Sequence, residues 1–456
     1  MTTQLIPHTP SRPDAAGSSR STRRARHPVF AEIRGGLAPW IALAMCLTLV
    51  GAMAGKASYW QGSWGETQER LHSAAVLLGG PLAAGAGCWQ GGRERRRRTA
   101  ELWATGARSE LAQFVVAALP VALAVIVGHA VAAAGSFLAT WPYASAGRPL
   151  FGPLAADTVF LAAMSCGGMV VGRLVRWRLA APLLALCGYV ALALPMYQQS
   201  SLRFLGPAEG YSPDGWVPVW WQPLAMAAWT GGLAAAVVLG HAARRHRYTA
   251  LLPLAVAIVA AVPIGRTGEH MWYPNPLAEK QICDDSSPQV CVNAVHRDLL
   301  PAVSKALSGL TGRLEGVAHA PVRFENLPQD PHRDEAQLPD LYFGQSVVRG
   351  ELADPQAFAW EAAAGMLTRD CAAPTTHPVD DAVMEWLVSN DLSTSRRAEA
   401  RRQARERGDT AEATALDTRE RALHHLAAMR PDQRRAWLGR YFATHGSCDT
   451  KKVPAL

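Results

Sequence analysis

The stretch GGRERRRRTAELWATGARSE, residues 91–110, sets six arginines and three glutamates between two long apolar segments. Upstream runs 72–90, HSAAVLLGGPLAAGAGCWQ, and downstream 111–138, LAQFVVAALPVALAVIVGHAVAAAGSFL. Each is long enough, as a helix rising 1.5 Å per residue, to cross or nearly cross about 30 Å of hydrocarbon. Arginine is costly in hydrocarbon, so this run marks a membrane surface, and the side on which it lies fixes the orientation of everything around it.

Further apolar segments flank this pair, at approximately 37–55, 151–173, 179–197, 223–242 and 249–265. The last has only 17 residues, but none is charged from Thr249 to Gly265. With the N-terminus inside, the segments 1–36, 91–110, 173–178 and 241–248 hold 18 lysines and arginines, whereas the opposite loops 56–71, 139–150 and 198–222 hold 4. The alternation is unbroken, as the enrichment of cytoplasmic flanks in Lys and Arg requires. HAARRHR (241–247) must then be inside, and a seventh span must follow it. Aromatic residues suited to a membrane boundary fall in the outer loops, in SYWQGSW (58–64) and GWVPVWW (215–221). The expected fold class is therefore an all-α membrane protein of about seven transmembrane helices, N-terminus in and C-terminus out. A mostly α extracytoplasmic domain completes it.

Three regions follow from composition. Residues 1–30, rich in Ser, Pro, Thr and Arg, read as a disordered basic cytoplasmic tail. Residues 31–265 form the membrane part, and residues 266–456 carry most of the acids. That last region, of about 190 residues, is long enough to bury its own core. The whole 456-residue chain is 49% apolar and 18% charged, averages that conceal two unlike halves. The sequence pI of about 9.2 invites a nucleic-acid reading. Distribution excludes it, because the arginines cluster at the ends of apolar runs and form no stripe with interleaved aromatics. AMA at 52–54 resembles a signal-peptidase site, but a 36-residue lead argues for a retained span.

Cysteines divide the same way. Cys46, Cys88, Cys166 and Cys187 lie in predicted spans, where a free thiol behaves as a small apolar group. Cys283, Cys291, Cys371 and Cys448 all fall beyond residue 266, an even number in a compartment assigned as oxidising, which suggests two disulfides. Three pairings are possible. The short loop favours Cys283 with Cys291, leaving Cys371 with Cys448.

The arginines of 93–98 are explained by topology and by anionic head groups. The half-apolar TAELWATGARSELAQFVVAALP (99–120) is not, and it reads as a short amphipathic helix with its glutamate near the start, where the helix dipole favours negative charge. RRRRTAELWATGARSEL (95–111) resembles the segment after the second membrane helix in permeases of ABC-2 type transporters. FAEIRGGLAPW (30–40) is similar to the interfacial elbow of those permeases. The resemblance covers roughly 28–250 and implies that 95–106 docks on a separate cassette ATPase. Arg97, Arg98, Thr99, Glu101, Leu102 and Trp103 would form that coupling segment, Glu101 pairing with an arginine of the ATPase. It further implies a homodimer or a second permease in the complex. The chain departs from the family in its seventh span and exported domain. It also lacks G-x-x-x-x-G-K-[ST], so any nucleotide hydrolysis must come from another subunit. A lipid-binding interfacial helix is the plainer reading of 95–106.

Asp157 is the one charged residue between the flanking arginines of the predicted spans, and His129 lies in the third span. Buried ionisable groups in a membrane default to function. Here a shallow, wetted Asp157 and a neutral, hydrogen-bonded His129 are the expected structural roles. Beyond residue 266, helices are expected at 295–317, 355–368, 379–390, 393–429 (broken near Gly408) and 431–446, with a short strand within 320–326. Neither H-E-x-x-H nor G-x-S-x-G occurs, and the histidines are scattered. No metal, cofactor or catalytic role is expected. The 283–307 region is similar to exported domains of actinobacterial membrane proteins, which implies a binding or shielding role, as of a decayed peptidase. Two classes of function remain: a permease-like subunit of an ATP-driven system, or a membrane anchor that displays an extracytoplasmic interaction domain.

Overall fold

The structure is a computed structural model that describes residues 36–97, 109–144, 146–210, 214–327, 331–332, 334–369, 371, 378–389, 391–444 and 447–456. Among the described residues, six helices are long and apolar enough to cross a membrane. They span Trp64–Gly91 (α2), Glu110–Thr140 (α4), Phe151–Leu174 (α5), Ala180–Tyr197 (α6), Gln222–Ala242 (α7) and His246–Met271 (α8). A shorter apolar helix, Ala38–Ala54 (α1), precedes them. The short α3, Arg93–Arg96, follows α2 directly. The sequence marked 249–265 as the short segment, yet α8 is long and α1 is the short helix.

α2 is the most enclosed of these helices, with 67% of its apolar window buried against 11% for α6. The seam between α2 and α5 explains why. A Cβ on Gly87 would overlap the carbonyl oxygen of Ser165, and one on Gly168 would overlap that of Ala84. Gly91 and Gly172 repeat the pattern one turn on, against Met169 and Cys88. Helices in lipid gain little from mutual hydrophobic burial, so small residues that admit backbone contact hold them together. The GGPLAAGAG and SCGGMVVG stretches thus meet each other. α2 also carries a π-helical turn, Ala75–Gly79, just ahead of Gly80-Pro81, where the proline has no N–H to give the ladder.

After α8 comes a domain with its own core. Its helices are Leu300–Leu314 (α9), Pro355–Leu367 (α10), Pro378–Val388 (α11), Asp391–Glu406 (α12), Thr410–Ala428 (α13) and Pro431–Ala443 (α14). Leu299, Val303, Leu307, Leu310 and Leu314, at helical spacing, are buried against Val290, Val292 and Phe324. Gly408, at φ +69°, makes the break between α12 and α13.

The mostly α expectation omitted most of the strands. β1 (Trp216–Pro218) pairs antiparallel with β2 (Trp272–Pro274), tying the α6–α7 connection to the chain leaving α8. β3 (Gln281–Cys283), β4 (Gln289–Asn293), β5 (Arg323–Glu325) and β6 (Glu335–Gln337) form a sheet in that order, the first pair antiparallel and the rest parallel. β7 (Val347–Val348) and β8 (Glu351–Leu352) make a small hairpin. Such short strands carry too few residues for alternation to register in sequence.

The domain sits on one end of the helix bundle. A Cβ on Gly62 (φ +122°) would lie 2.7 Å from the Phe343 ring, and one on Gly344 (φ +83°) 2.6 Å from Tyr59. Only glycine suits that conformation and that closeness. Arg349 Nε donates to Gln61 Oε1 at 2.9 Å, and Gly350 lies against the carbonyl of Tyr143. The α1–α2 and α4–α5 loops are both held this way.

Candidate functional site

At the arginine-rich end of the bundle, α3 is fastened to the end of α5. The last carbonyls of a helix have no partner within it. Arg95 supplies one: its guanidinium donates to the carbonyls of Gly172, Arg173 (3.0 Å) and Val175. Arg173 in turn donates to Glu94 Oε1 at 3.1 Å and stands 5.0 Å from the centre of the Phe114 ring on α4. Arg96 covers the Trp89 ring at 4.2 Å. Arg97 caps α3 with its backbone N–H and is exposed. Arg98, Thr99, Glu101, Leu102 and Trp103 lie outside the described residues. The chain resumes at Ser109, whose hydroxyl caps α4.

A buried polar chain occupies the opposite end. Asp157 on α5 accepts from His72 on α2, Nδ1 to Oδ1 at 2.8 Å, with both side chains under a tenth exposed. The next residue of α5, Thr158, faces another way and meets His129 Nδ1 of α4 at 3.2 Å. His72, Asp157 and Glu209 line a cavity of about 30 Å³, large enough for a water by its volume. Thr67 and Thr140 share a hydrogen bond of 2.6 Å between α2 and α4. Asp157 is therefore buried and paired with His72, beside a cavity that can hold a water. His129 has the interhelical hydrogen bond expected of it.

The chain continues to the domain. Ser63 caps α2, accepting from the Glu66 N–H at 3.0 Å, and its hydroxyl donates to Asp214. Asp214 is packed so tightly on the start of α2 that a Cβ on Gly65 would collide with it. Burial pushes the Asp214 carboxyl up, while His296, the Ser63 hydroxyl and the Gly65 N–H oppose this. His296, reaching in from the domain, is pushed down by burial and held up by Asp214. Its ring lies 5.7 Å from that of Phe343.

Sequence reading missed His72, Asp214 and His296. Their partners are 85 or more positions away or in another domain, and none stands in a motif. His72 opens a predicted span, the one signal that would have singled it out. Cys283–Cys291 and Cys371–Cys448 are bonded, with sulfurs 2.04 and 2.08 Å apart. The first is a cross-strand pair joining β3 and β4 in register. No group of three metal-ligating side chains occurs among the described residues.

Leucine at Asp157 or at His72 is expected to cost about 2 kcal/mol, the desolvation of the partner left unpaired. The double variant should cost less than the two together. Thermal unfolding of the purified protein and its three variants measures this, and strict additivity would rule out a direct coupling.

No family model matches the chain, and no curated protein or solved structure was found to be similar to it.

Proposed function

We propose that the chain is a permease-like membrane subunit of an ATP-binding-cassette transport system, driven by a separate ATPase. In this reading it has seven spans, its arginine-rich end faces the cytoplasm, and its C-terminal domain is extracytoplasmic. The distribution of 18 against 4 basic residues supports that orientation, as do disulfides confined to one domain. The observation that carries the transporter reading is the fastening of α3. Arg95 and the Glu94–Arg173 pair lock the start of 95–106 onto the ends of α2 and α5, whose backbones meet at the glycine seam. A docking segment must pass force to the membrane helices, and this joint gives it a rigid lever. An arginine run serving lipid alone has no need to cap a neighbouring helix.

The alternative, an anchor displaying an interaction domain, is favoured by the domain's self-contained core and two disulfides. Purification of the tagged protein from its native membrane in mild detergent, beside a Glu101→Arg variant, separates the two. The transporter reading expects a cassette ATPase with the wild type and at least a tenfold loss of it with the variant, about the effect of reversing one interfacial charge. Well-folded protein that brings down no ATPase refutes the reading and leaves the domain as the seat of function. Neither reading assigns a catalytic residue or a cofactor.

A further inference from the structure

We propose that an anionic phospholipid binds where the ends of α2, α3, α5 and α6 meet, its phosphate held by Arg176 and Arg178 and its acyl chains by the apolar residues beside them.

The junction is built by packing. Cys88 of α2, Val171 of α5 and Ala180 and Ala181 of α6 form one small cluster, which sets the start of α6 against the end of α2. Arg95 of α3 binds the carbonyls of Gly172, Arg173 and Val175, so α3 lies on the last turn of α5. The connection LVRWRL, 174–179, leaves that point and reaches α6 in six residues. All six are exposed, and Leu174, Trp177 and Leu179 each leave more than half their surface uncovered. Apolar area of that extent is unfavourable in water. Lipid is close at hand, because α6 has only 11% of its apolar window buried within the protein and acyl chains would run along it up to Leu179.

Charge gives the second half of the site. Residues 93–97 and 173–178 contribute seven arginines and one glutamate. Arg173 takes that glutamate, Glu94, at 3.1 Å. Arg95 is spent on carbonyls, which carry no net charge to offset its own. Burial pushes the Arg93 guanidinium down, and Arg97 and Arg96 push it further. Within these two stretches like charges are thus crowded against a single acid. Arg176 and Arg178 enter no ion pair or hydrogen bond among the described residues.

The occupant must combine a negative headgroup with chains that cover Leu174, Trp177 and Leu179. A phospholipid does both, its phosphate oxygens accepting from the guanidinium forks. A zwitterionic lipid would bring a cation toward the remaining arginines. Free phosphate would leave the apolar side chains bare. Each arginine at an anionic membrane surface adds about fivefold to binding. Arg176 and Arg178 lie outside 95–106, so loss of this site would leave the ATPase reading untouched.

The test titrates delipidated full-length protein in mild detergent with dioleoyl phosphatidylglycerol and, separately, dioleoyl phosphatidylcholine. Bound lipids are counted by native mass spectrometry. The anionic lipid is expected to bind saturably and about tenfold or more tighter than the zwitterionic one. Arg176→Gln and Arg178→Gln should each weaken it about fivefold and the double variant about 25-fold, with no change for phosphatidylcholine. Both side chains are exposed, so melting temperatures should match the wild type, and either single variant suffices if the other does not fold. Arg148→Gln, at an exposed arginine on the opposite end of the bundle, is the control and should bind as the wild type does. Glycerophosphoglycerol and inorganic phosphate separate the headgroup from the whole lipid, and neither should displace it at equal concentration. The proposal is overturned by equal affinity for the two lipids, by displacement with either soluble phosphate, or by wild-type affinity in the folded double variant. The first and last of these would leave the arginines to an acidic protein surface, the second to a soluble phosphate.

Discussion

Gly168→Val is expected to force α2 and α5 apart and to destabilise the protein by about 3 kcal/mol or more, the upper end of what overpacking costs. The reason is that the obstacle is backbone. A side chain at 168 meets the carbonyl of Ala84, and neither helix can yield there without moving whole. Gly87→Val should behave alike from the other side. Gly167→Val is the control, because nothing lies within 4 Å of where its Cβ would sit. The readout is monodisperse yield and melting temperature in detergent. A Gly168 variant as stable as the Gly167 variant would show that the seam does not hold the bundle.

Removing the Cys371–Cys448 bond with a double alanine variant is expected to cost the domain about 4.5 kcal/mol, because the bond closes a loop of 77 residues. The Cys283–Cys291 bond closes a loop of only 8 residues and should be worth about 2.5 kcal/mol by the same chain-entropy relation. Native contacts around the longer loop do not replace the link. Arg369 donates to the carbonyls of Thr444 and Ser447 at 3.0 Å and pairs with Asp380, which accepts from the Tyr441 hydroxyl at 2.6 Å. These bonds hold the end of α14 in the folded state, but they vanish on unfolding, whereas the disulfide acts on the unfolded chain. Urea unfolding of each variant, followed by a signal from the domain, gives the order. A larger loss from the shorter loop would show that loop entropy is not what the bonds contribute.

Much of the membrane part was legible because hydropathy and charge act locally. A run such as 111–138 declares a helix without reference to any other residue, and the arginines at 93–98 declare an end. The seam of α2 and α5 was half legible: the small residues stood out, but not that GGPLAAGAG and SCGGMVVG meet each other. Of the polar chain, Asp157 and His129 stood out but their partners did not, since His72 acquires its meaning only from Asp157, and Asp214 only from α2 and His296. In the domain, helices with strong periodicity such as α9 were found. Strands of two to five residues were not, because a sheet assembled from fragments is specified by the core beneath it rather than by any one fragment. Of the six residues that the family resemblance singles out for coupling, Arg97 alone falls among the described residues.

The seat of the domain on the bundle also bears on the order of assembly. A ribosome delivers α1, α2 and α4 to the bilayer long before it makes residues 343–350, which press on Tyr59, Gln61, Gly62 and Tyr143. During that interval the loops between the early helices have no brace. The nascent bundle completes its architecture only when the final portion of the chain has folded back upon it. A truncation that leaves every membrane helix intact would therefore release a protein recognisable to quality-control proteases as unfinished.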